Sequence, residues 1–175
     1  MSASLAQSAL PPLAVPRVLP LLLAAAGPVA IGGLLALPGS SVSPLFAVPA
    51  VVFGVTAATS PALYIASAAT GSAPPLSAVV RAFGVAIGAF GIALAGLLLP
   101  VAFLALSSVS GTTTLLVTSA AIGGAGLVGF RRLAHELRTT RVPSFTGEVV
   151  FVIWSLATCG IAGRMWWDLA QEVVL

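Results

Sequence analysis

The segment AFGVAIGAFGIALAGLLLPVAFLAL, residues 82–106, is 25 residues long and carries no charge. An α-helix rises ~1.5 Å per residue, so this length exceeds the ~20 residues that cross ~30 Å of hydrocarbon. Arg81 immediately precedes the segment, and its long side chain can reach the lipid headgroups from the first helical turns. The segment therefore predicts a transmembrane helix with a kink at Pro100.

Composition extends this prediction to the whole chain. Apolar residues make up 59% of the 175 residues and charged residues 6%, against about 45–50% and about 25% in soluble domains. A soluble protein of this length needs far more charged surface than the chain can supply. The chain is therefore expected to be an all-α, polytopic transmembrane helix bundle that forms one domain over residues 1–175.

Four more apolar runs are separated from residues 82–106 by polar or proline-rich breaks. The five predicted spans cover residues 18–37, 45–69, 82–106, 113–130 and 149–167, with a basic cytoplasmic loop at 131–147. The second run exceeds one straight crossing and contains Pro61, so a tilted span and a broken, re-entrant pair both remain open.

The distribution of Arg predicts the orientation of these spans. The chain has seven basic residues, all of them Arg. Six would lie on the same side of the bilayer: Arg17, Arg81, Arg131, Arg132, Arg138 and Arg141. Positive residues favour the cytoplasmic side, so the N-terminus is expected in the cytoplasm and the C-terminus outside. An Ala-, Gly- and Leu-rich composition without Lys favours a bacterial inner-membrane protein.

The Arg residues near 131–141 are also the main candidate contact site. Arg131, Arg132, Arg138 and Arg141, together with Arg81, can attract anionic lipid, each contributing roughly 1 kcal/mol near the surface. They can equally bind the carboxylates of an acidic partner protein. Nucleic acid is not expected, because the net charge is only +3 and the Arg residues adjoin apolar spans.

A second polar group marks the opposite interface in this interpretation. Arg164 and Asp168 are four residues apart and can pair on one helical face. Trp166 and Trp167 stand between them, and paired Trp at a span end is typical of an aromatic belt. These four residues are therefore predicted to anchor the fifth span.

Small residues predict how the helices associate in lipid, where close backbone approach matters more than apolar burial. Gly84 and Gly88 form one GxxxG pattern, and Gly124 and Gly129 belong to similar small-residue patterns in the fourth span. Either these faces pack the five spans together, or one of them meets another subunit or a second copy of the chain.

The residues needed for catalysis or metal binding are scarce. His135 is the only His and lies in the basic stretch, while Cys159 is the only Cys and is expected to be a packing residue. No Asp or Glu lies within a predicted span. No enzymatic activity, cofactor or metal is therefore expected.

Hydroxyl side chains leave one alternative open. They could line a neutral pathway, or they could bond back to carbonyls of their own helices. The group comprises Thr56, Thr59, Ser60, Tyr64, Ser67, Thr118, Ser119, Ser155 and Thr158.

The stretch GSAPPLSAVVRAF, residues 71–83, resembles the short inner loop and third-span entry of the Yip-type five-span membrane proteins and their bacterial relatives. The acidic motif of that family is missing, since residues 18–80 contain no Asp or Glu. The resemblance implies a non-enzymatic scaffold in membrane organisation. Independently of this resemblance, the scarcity of catalytic groups, the abundant small-residue faces and the short loops favour a scaffold or accessory subunit of a larger membrane assembly. A small oligomeric channel or carrier for a neutral or lipidic substrate is the alternative.

Overall fold

The computed structural model describes residues 18–37, 42–107, 110–140 and 144–174. These residues form five α-helices and no strand, which confirms the predicted all-α class. The helices are α1 (Val18–Ala36), α2 (Ser43–Ala69), α3 (Leu76–Ser107), α4 (Gly111–Thr140) and α5 (Phe145–Val174). By length and composition, α2 to α5 can each cross a membrane, whereas the apolar stretch of α1, Leu22–Ala36, is shorter.

α2 is one continuous helix, so the re-entrant alternative for residues 45–69 is not adopted. Pro61 has no N–H to donate to the carbonyl of Ala57, but the Ser60 hydroxyl donates to that carbonyl instead at 3.3 Å. The helix ends at Ala69, and Gly71, two residues further on, has a φ of 66° that suits a residue without a Cβ. Ser72 N–H donates to the Ser67 carbonyl at 2.9 Å, which completes the cap.

The basic stretch predicted as a loop at 131–147 is helical as far as Thr140. Residues 131–140 contain neither Gly nor Pro, and Leu133 and Leu137 are buried against Ala82 and Trp154. This burial continues α4 well past the end of the predicted span. Arg17 and Arg141, two of the predicted basic residues, lie outside the described residues.

The next helix begins at a capped residue. The Ser144 hydroxyl accepts a hydrogen bond from Gly147 N–H at 3.1 Å, which satisfies one of the free donors in the first turn of α5. Glu148 lies in the same turn, where the helix dipole favours an acid. α5 therefore starts four residues before the predicted span.

Two close approaches fix α1 between α2 and α3. A Cβ on Gly32 would collide with the backbone of Pro44 in α2, and a Cβ on Gly91 would collide with the backbone of Ala24 in α1. α4 packs along α3, and α5 packs mainly along α2. Because α4 and α5 make few contacts with each other, the bundle is open between them.

Candidate functional site

A cleft of ≈ 340 Å³ lies between α2, α3, α4 and α5. Six aromatic side chains form much of its wall, namely Phe53, Phe83, Phe90, Phe130, Trp154 and Trp166. No charged side chain of the described residues lines it. A concave, largely apolar site with a few polar atoms is the usual form of a small-molecule site.

One end of the cleft is closed by an aromatic cluster around Trp154. The rings of Phe83, Phe130 and Phe151 each lie with their centroids 5.9 Å from that of Trp154. Trp154 Nε1 donates a 2.7 Å hydrogen bond to the carbonyl of Thr59, so the indole also ties α5 to α2. The ring contacts and this hydrogen bond therefore hold α2, α3, α4 and α5 together at this end of the cleft.

The other end is closed by a hydrogen bond between α4 and α5. Trp166 Nε1 donates to Ser119 Oγ at 2.8 Å. Ser119 Oγ in turn donates to the Leu115 carbonyl at 2.6 Å. Trp154 and Trp166 are twelve residues apart on α5, which places the two ends about 18 Å from each other along the helix.

Glycines create the space between the two ends. A Cβ added to Gly123, Gly126 or Gly163 would meet no atom within 4 Å. Gly123, Gly163 and Cys159 line the cleft and are exposed, so they mark its mouth between α4 and α5. Cys159 therefore does not occupy the buried packing position that was expected for it.

One polar atom in the cleft lacks a partner. Thr158 lines the cleft and is 6% exposed, and its Oγ1 makes no hydrogen bond. The neighbouring lining residue Thr56 behaves differently, since its Oγ1 donates to the Val52 carbonyl at 2.7 Å. Thr59 and Thr118 likewise donate to carbonyls of their own helices. Thr158 is thus a lining residue whose buried hydroxyl makes no hydrogen bond, and the hydroxyl of Ser155, which does not line the cleft, is buried and unbonded as well.

The predicted Arg site lies on helical surfaces away from the cleft. Arg132 pairs with Glu136 at 2.9 Å, and Arg138 holds both carboxylate oxygens of Glu148 at 2.9 and 2.7 Å. The second pair joins the C-terminal end of α4 to the first turn of α5. Arg81 and Arg131 are exposed.

The predicted anchor residues form a separate group on α5. Arg164 and Asp168 pair at 3.1 Å, as their spacing predicts. Their side chains are 74% and 52% exposed. Trp167 is exposed as well, whereas Trp166 is half-buried at the cleft. The two Trp residues therefore do not share one surface.

The predicted packing glycines differ in their surroundings. Gly129 lies against Ala86 and Phe90 of α3, and Gly88 is buried. Gly84 has no neighbour within 4 Å of a built Cβ, and Gly124 has only the tip of Leu97. The helices therefore do not approach closely at Gly84 or Gly124, because the tight α3–α4 contact lies at Gly129.

The close contacts at Gly32 and Gly91 matter more for the fold than those at the four predicted packing glycines, since a Cβ at either position would collide with backbone. In a chain with 18 Gly residues, the GxxxG spacing alone does not tell a contact from an open surface. For the same reason, the sequence suggests helix packing at Gly123, Gly126 and Gly163, whereas the structure leaves open space at all three.

Metal ligands are not clustered in the described part of the chain, where no three His, Cys, Asp or Glu residues could hold an ion together.

No family model, curated protein or solved structure matches this chain.

Proposed function

We propose that this chain is a non-enzymatic integral membrane protein that binds one neutral, lipid-like chain in the cleft whose mouth lies between α4 and α5. The observation that carries the proposal is a largely apolar, aromatic-walled cleft lined by Thr158, whose buried hydroxyl makes no hydrogen bond. The proposal corresponds to the carrier for a neutral or lipidic substrate that the sequence left open.

The dimensions of the cleft support a single hydrocarbon chain. The cleft has a volume of ≈ 340 Å³, and its two closed ends lie about 18 Å apart along α5. An elongated apolar space of this kind suits an extended hydrocarbon chain better than a compact multi-ring molecule.

The lining supports a neutral ligand with one oxygen. Burying a charge without a partner costs far more than the surrounding apolar contacts can return, and no described charged side chain faces the cleft. A carbonyl or hydroxyl oxygen on the ligand can accept a hydrogen bond from Thr158 Oγ1. An ester-linked acyl chain and a long-chain alcohol share this chemistry.

The mouth supports entry from the bilayer. Gly123, Cys159 and Gly163 are exposed on the long side of the bundle rather than at a helix end. Exposed apolar side chains such as Leu127 and Leu156 stand beside this mouth on both helices. A chain could therefore move between the lipid and the cleft without crossing water.

Tryptophan quenching tests the proposal. In a Trp167→Phe background, both remaining Trp residues line the cleft. We expect a brominated long-chain methyl ester, added to the protein in liposomes, to quench their fluorescence with a saturable dependence on concentration. Gly126→Leu should raise the half-saturating concentration at least ~10-fold, because the new side chain occupies a site lined for the ligand.

Gly96→Leu is the matched control. Gly96 is exposed on α3, does not line the cleft and has no neighbour within 4 Å of a built Cβ. The contrary result is quenching that rises linearly with ester concentration, to the same extent in Gly126→Leu and Gly96→Leu. It would show that the ester meets the Trp residues from the surrounding lipid and is not bound in the cleft.

The proposed orientation of the chain in the membrane rests on the Arg residues near the C-terminal end of α4. We place residues 131–140 of α4 on the cytoplasmic side of a bacterial inner membrane, with Arg81 and Arg131 toward anionic lipid headgroups. An accessory role in a larger assembly, and the relation to Yip-type proteins, stay predictions from the sequence.

A further inference from the structure

The two closed ends of the cleft are built differently. Trp154 is buried, its ring lies against three Phe rings, and its Nε1 bonds to the Thr59 carbonyl. Trp166 is only half-buried, and its Nε1 bonds across to Ser119 Oγ on α4. The end at Trp154 is therefore part of the helix-packing core, whereas an indole that reaches from α5 to α4 closes the other end.

The lining of the cleft stops at the Trp166–Ser119 pair on both helices. Leu169 lies three residues beyond Trp166 on α5, and Leu115 lies one turn beyond Ser119 on α4. Neither lines the cleft, as Trp166 and Ser119 do. Leu169 belongs to the buried core cluster, and Leu115 and Trp166 both pack against it. The cleft thus ends at Trp166 because packed apolar side chains follow.

Thr158 lies nearer to the Trp154 end of the cleft. It is four residues from Trp154 and eight from Trp166, which corresponds to ~6 Å and ~12 Å along α5. The proposed function holds the oxygen of the ligand at Thr158. The hydrocarbon chain attached to that oxygen therefore has its longer reach toward Trp166, and its free end is the part that meets the indole.

We infer that Trp166 determines which chain lengths the cleft accepts. The inference rests on the proposed function and specifies its ligand as a chain with ~12 Å of extended hydrocarbon beyond the oxygen. Carbons within that length gain van der Waals contacts with the walls of the cleft. Carbons beyond it find the indole and the packed core in their path, so they turn out through the mouth and add nothing to affinity.

Ala162 provides a change in the opposite direction. It lines the cleft one turn before Trp166 and is half-buried. A Leu side chain at this position would occupy the cleft ~6 Å nearer to Thr158 than Trp166 does. The space for the chain can therefore be shortened at Ala162 as well as lengthened at Trp166.

A series of methyl esters in phosphatidylcholine liposomes tests the inference. The esters differ in chain length and carry bromine close to the ester group, so that they quench Trp154 whatever the length of the chain. Their content is expressed per mole of lipid, which removes the stronger partitioning of longer chains from water. In the Trp167→Phe background, the half-saturating ester content should fall with each added carbon and then become constant. That length is the chain-length limit.

Two variants should move the chain-length limit in opposite directions. Trp166→Ala should raise it by ~two carbons or more, because a large-to-small change leaves a cavity that closes only partly. Ala162→Leu should lower it by a similar amount. Leu127→Ala and Gly96→Leu are the matched controls, since both positions are exposed and lie outside the cleft lining. Both controls should keep the limit of the Trp167→Phe background.

The outcomes separate this inference from the proposed function. Saturable binding with one chain-length limit in the Trp167→Phe background, Trp166→Ala and Ala162→Leu would overturn the role of Trp166 and leave ligand binding in place. A half-saturating content that keeps falling through the longest ester would do the same. Quenching that saturates at no chain length would contradict the proposed function itself.

Folding is controlled by helical circular dichroism. Ala162→Leu creates no cavity, so it carries the test alone if Trp166→Ala loses the spectrum of wild type. An unchanged chain-length limit in folded Ala162→Leu would then overturn the inference, and a shorter limit would support it.

Discussion

Trp166 on α5 donates a 2.8 Å hydrogen bond to Ser119 on α4, 47 residues earlier in the chain. The bond joins two helices that otherwise make few contacts. It closes one end of the cleft and also sets the height at which the charged residues of α5 lie. Several properties of the protein therefore depend on this single pair.

Replacing Ser119 by Ala should destabilise the bundle. The change leaves a half-buried indole N–H without its acceptor, at a cost of ~1–3 kcal/mol. Thermal unfolding in detergent measures the effect. Ser107→Ala is the matched control, because Ser107 is exposed and its hydroxyl bonds to the carbonyl of Phe103 in its own helix. Equal unfolding temperatures for the two variants would show that the bond between α4 and α5 contributes nothing.

Replacing Thr158 by Val should have opposite effects on stability and binding. Val has nearly the shape of Thr but lacks the unbonded hydroxyl, so the empty protein should be at least as stable as wild type. Affinity for the brominated ester should fall about 5-fold, since a hydrogen bond is worth ~1 kcal/mol. Affinity for a brominated alkane without oxygen should not change. A parallel loss for both probes would argue for altered packing instead of a missing hydrogen bond.

Replacing Gly91 by Ala should weaken the contact between α1 and α3. The new Cβ would collide with the backbone of Ala24, and overpacking of this kind costs ~1–3 kcal/mol. Gly96→Ala, on the same helix but in open space, should be neutral or should stabilise by ~0.5–1 kcal/mol through helix propensity. Unfolding in detergent compares the two, and an unfolding temperature for Gly91→Ala at or above that of Gly96→Ala would contradict the close packing at Gly91.

Cys159 should react with thiol reagents that dissolve in lipid but not with those confined to water. Its thiol is exposed at the cleft mouth, where it faces the apolar side of the bundle. Addition of the long-chain methyl ester should slow labelling by a lipid-soluble maleimide, because the bound chain lies beside the thiol. Rapid labelling by a charged reagent in intact liposomes would place the mouth in water.

The proposed orientation predicts one-sided labelling near the end of α4. Thr139 is exposed, whereas Leu137 is buried, so Thr139→Cys in a Cys159→Ser background gives an accessible thiol. We expect an impermeant reagent to label it in inverted membrane vesicles and not in intact cells. The reverse pattern would place the Arg-rich end outside.

The helices were predictable from sequence because hydrophobicity and charge are properties of contiguous residues. Every predicted span lies within an observed helix, apart from Leu37 just after α1. The predicted ends were less accurate. α4 continues ten residues past Phe130 because Leu133 and Leu137 find a buried surface on α3 and α5, and that surface comes from distant parts of the chain.

The cleft could not be predicted in the same way. Thr56, Ser119 and Thr158 were indistinguishable as hydroxyl residues in apolar helices, and only the structure leaves Thr158 without a bond. Likewise, open space at Gly126 and close contact at Gly129 follow from which neighbour each glycine meets. Spacing along one helix carries no information about that neighbour.

Composition and charge along the chain were enough to predict a helical membrane protein with six of its seven Arg residues toward one side, because both features belong to contiguous residues. The relative heights of the helices became known from the fold alone. The Trp166–Ser119 contact moves Arg164 and Asp168 from the expected end of a span to a level about 15 Å inside the end of α4. Such heights depend on side chains that meet across the bundle, and the spacing of residues along one helix does not predict which side chains will meet.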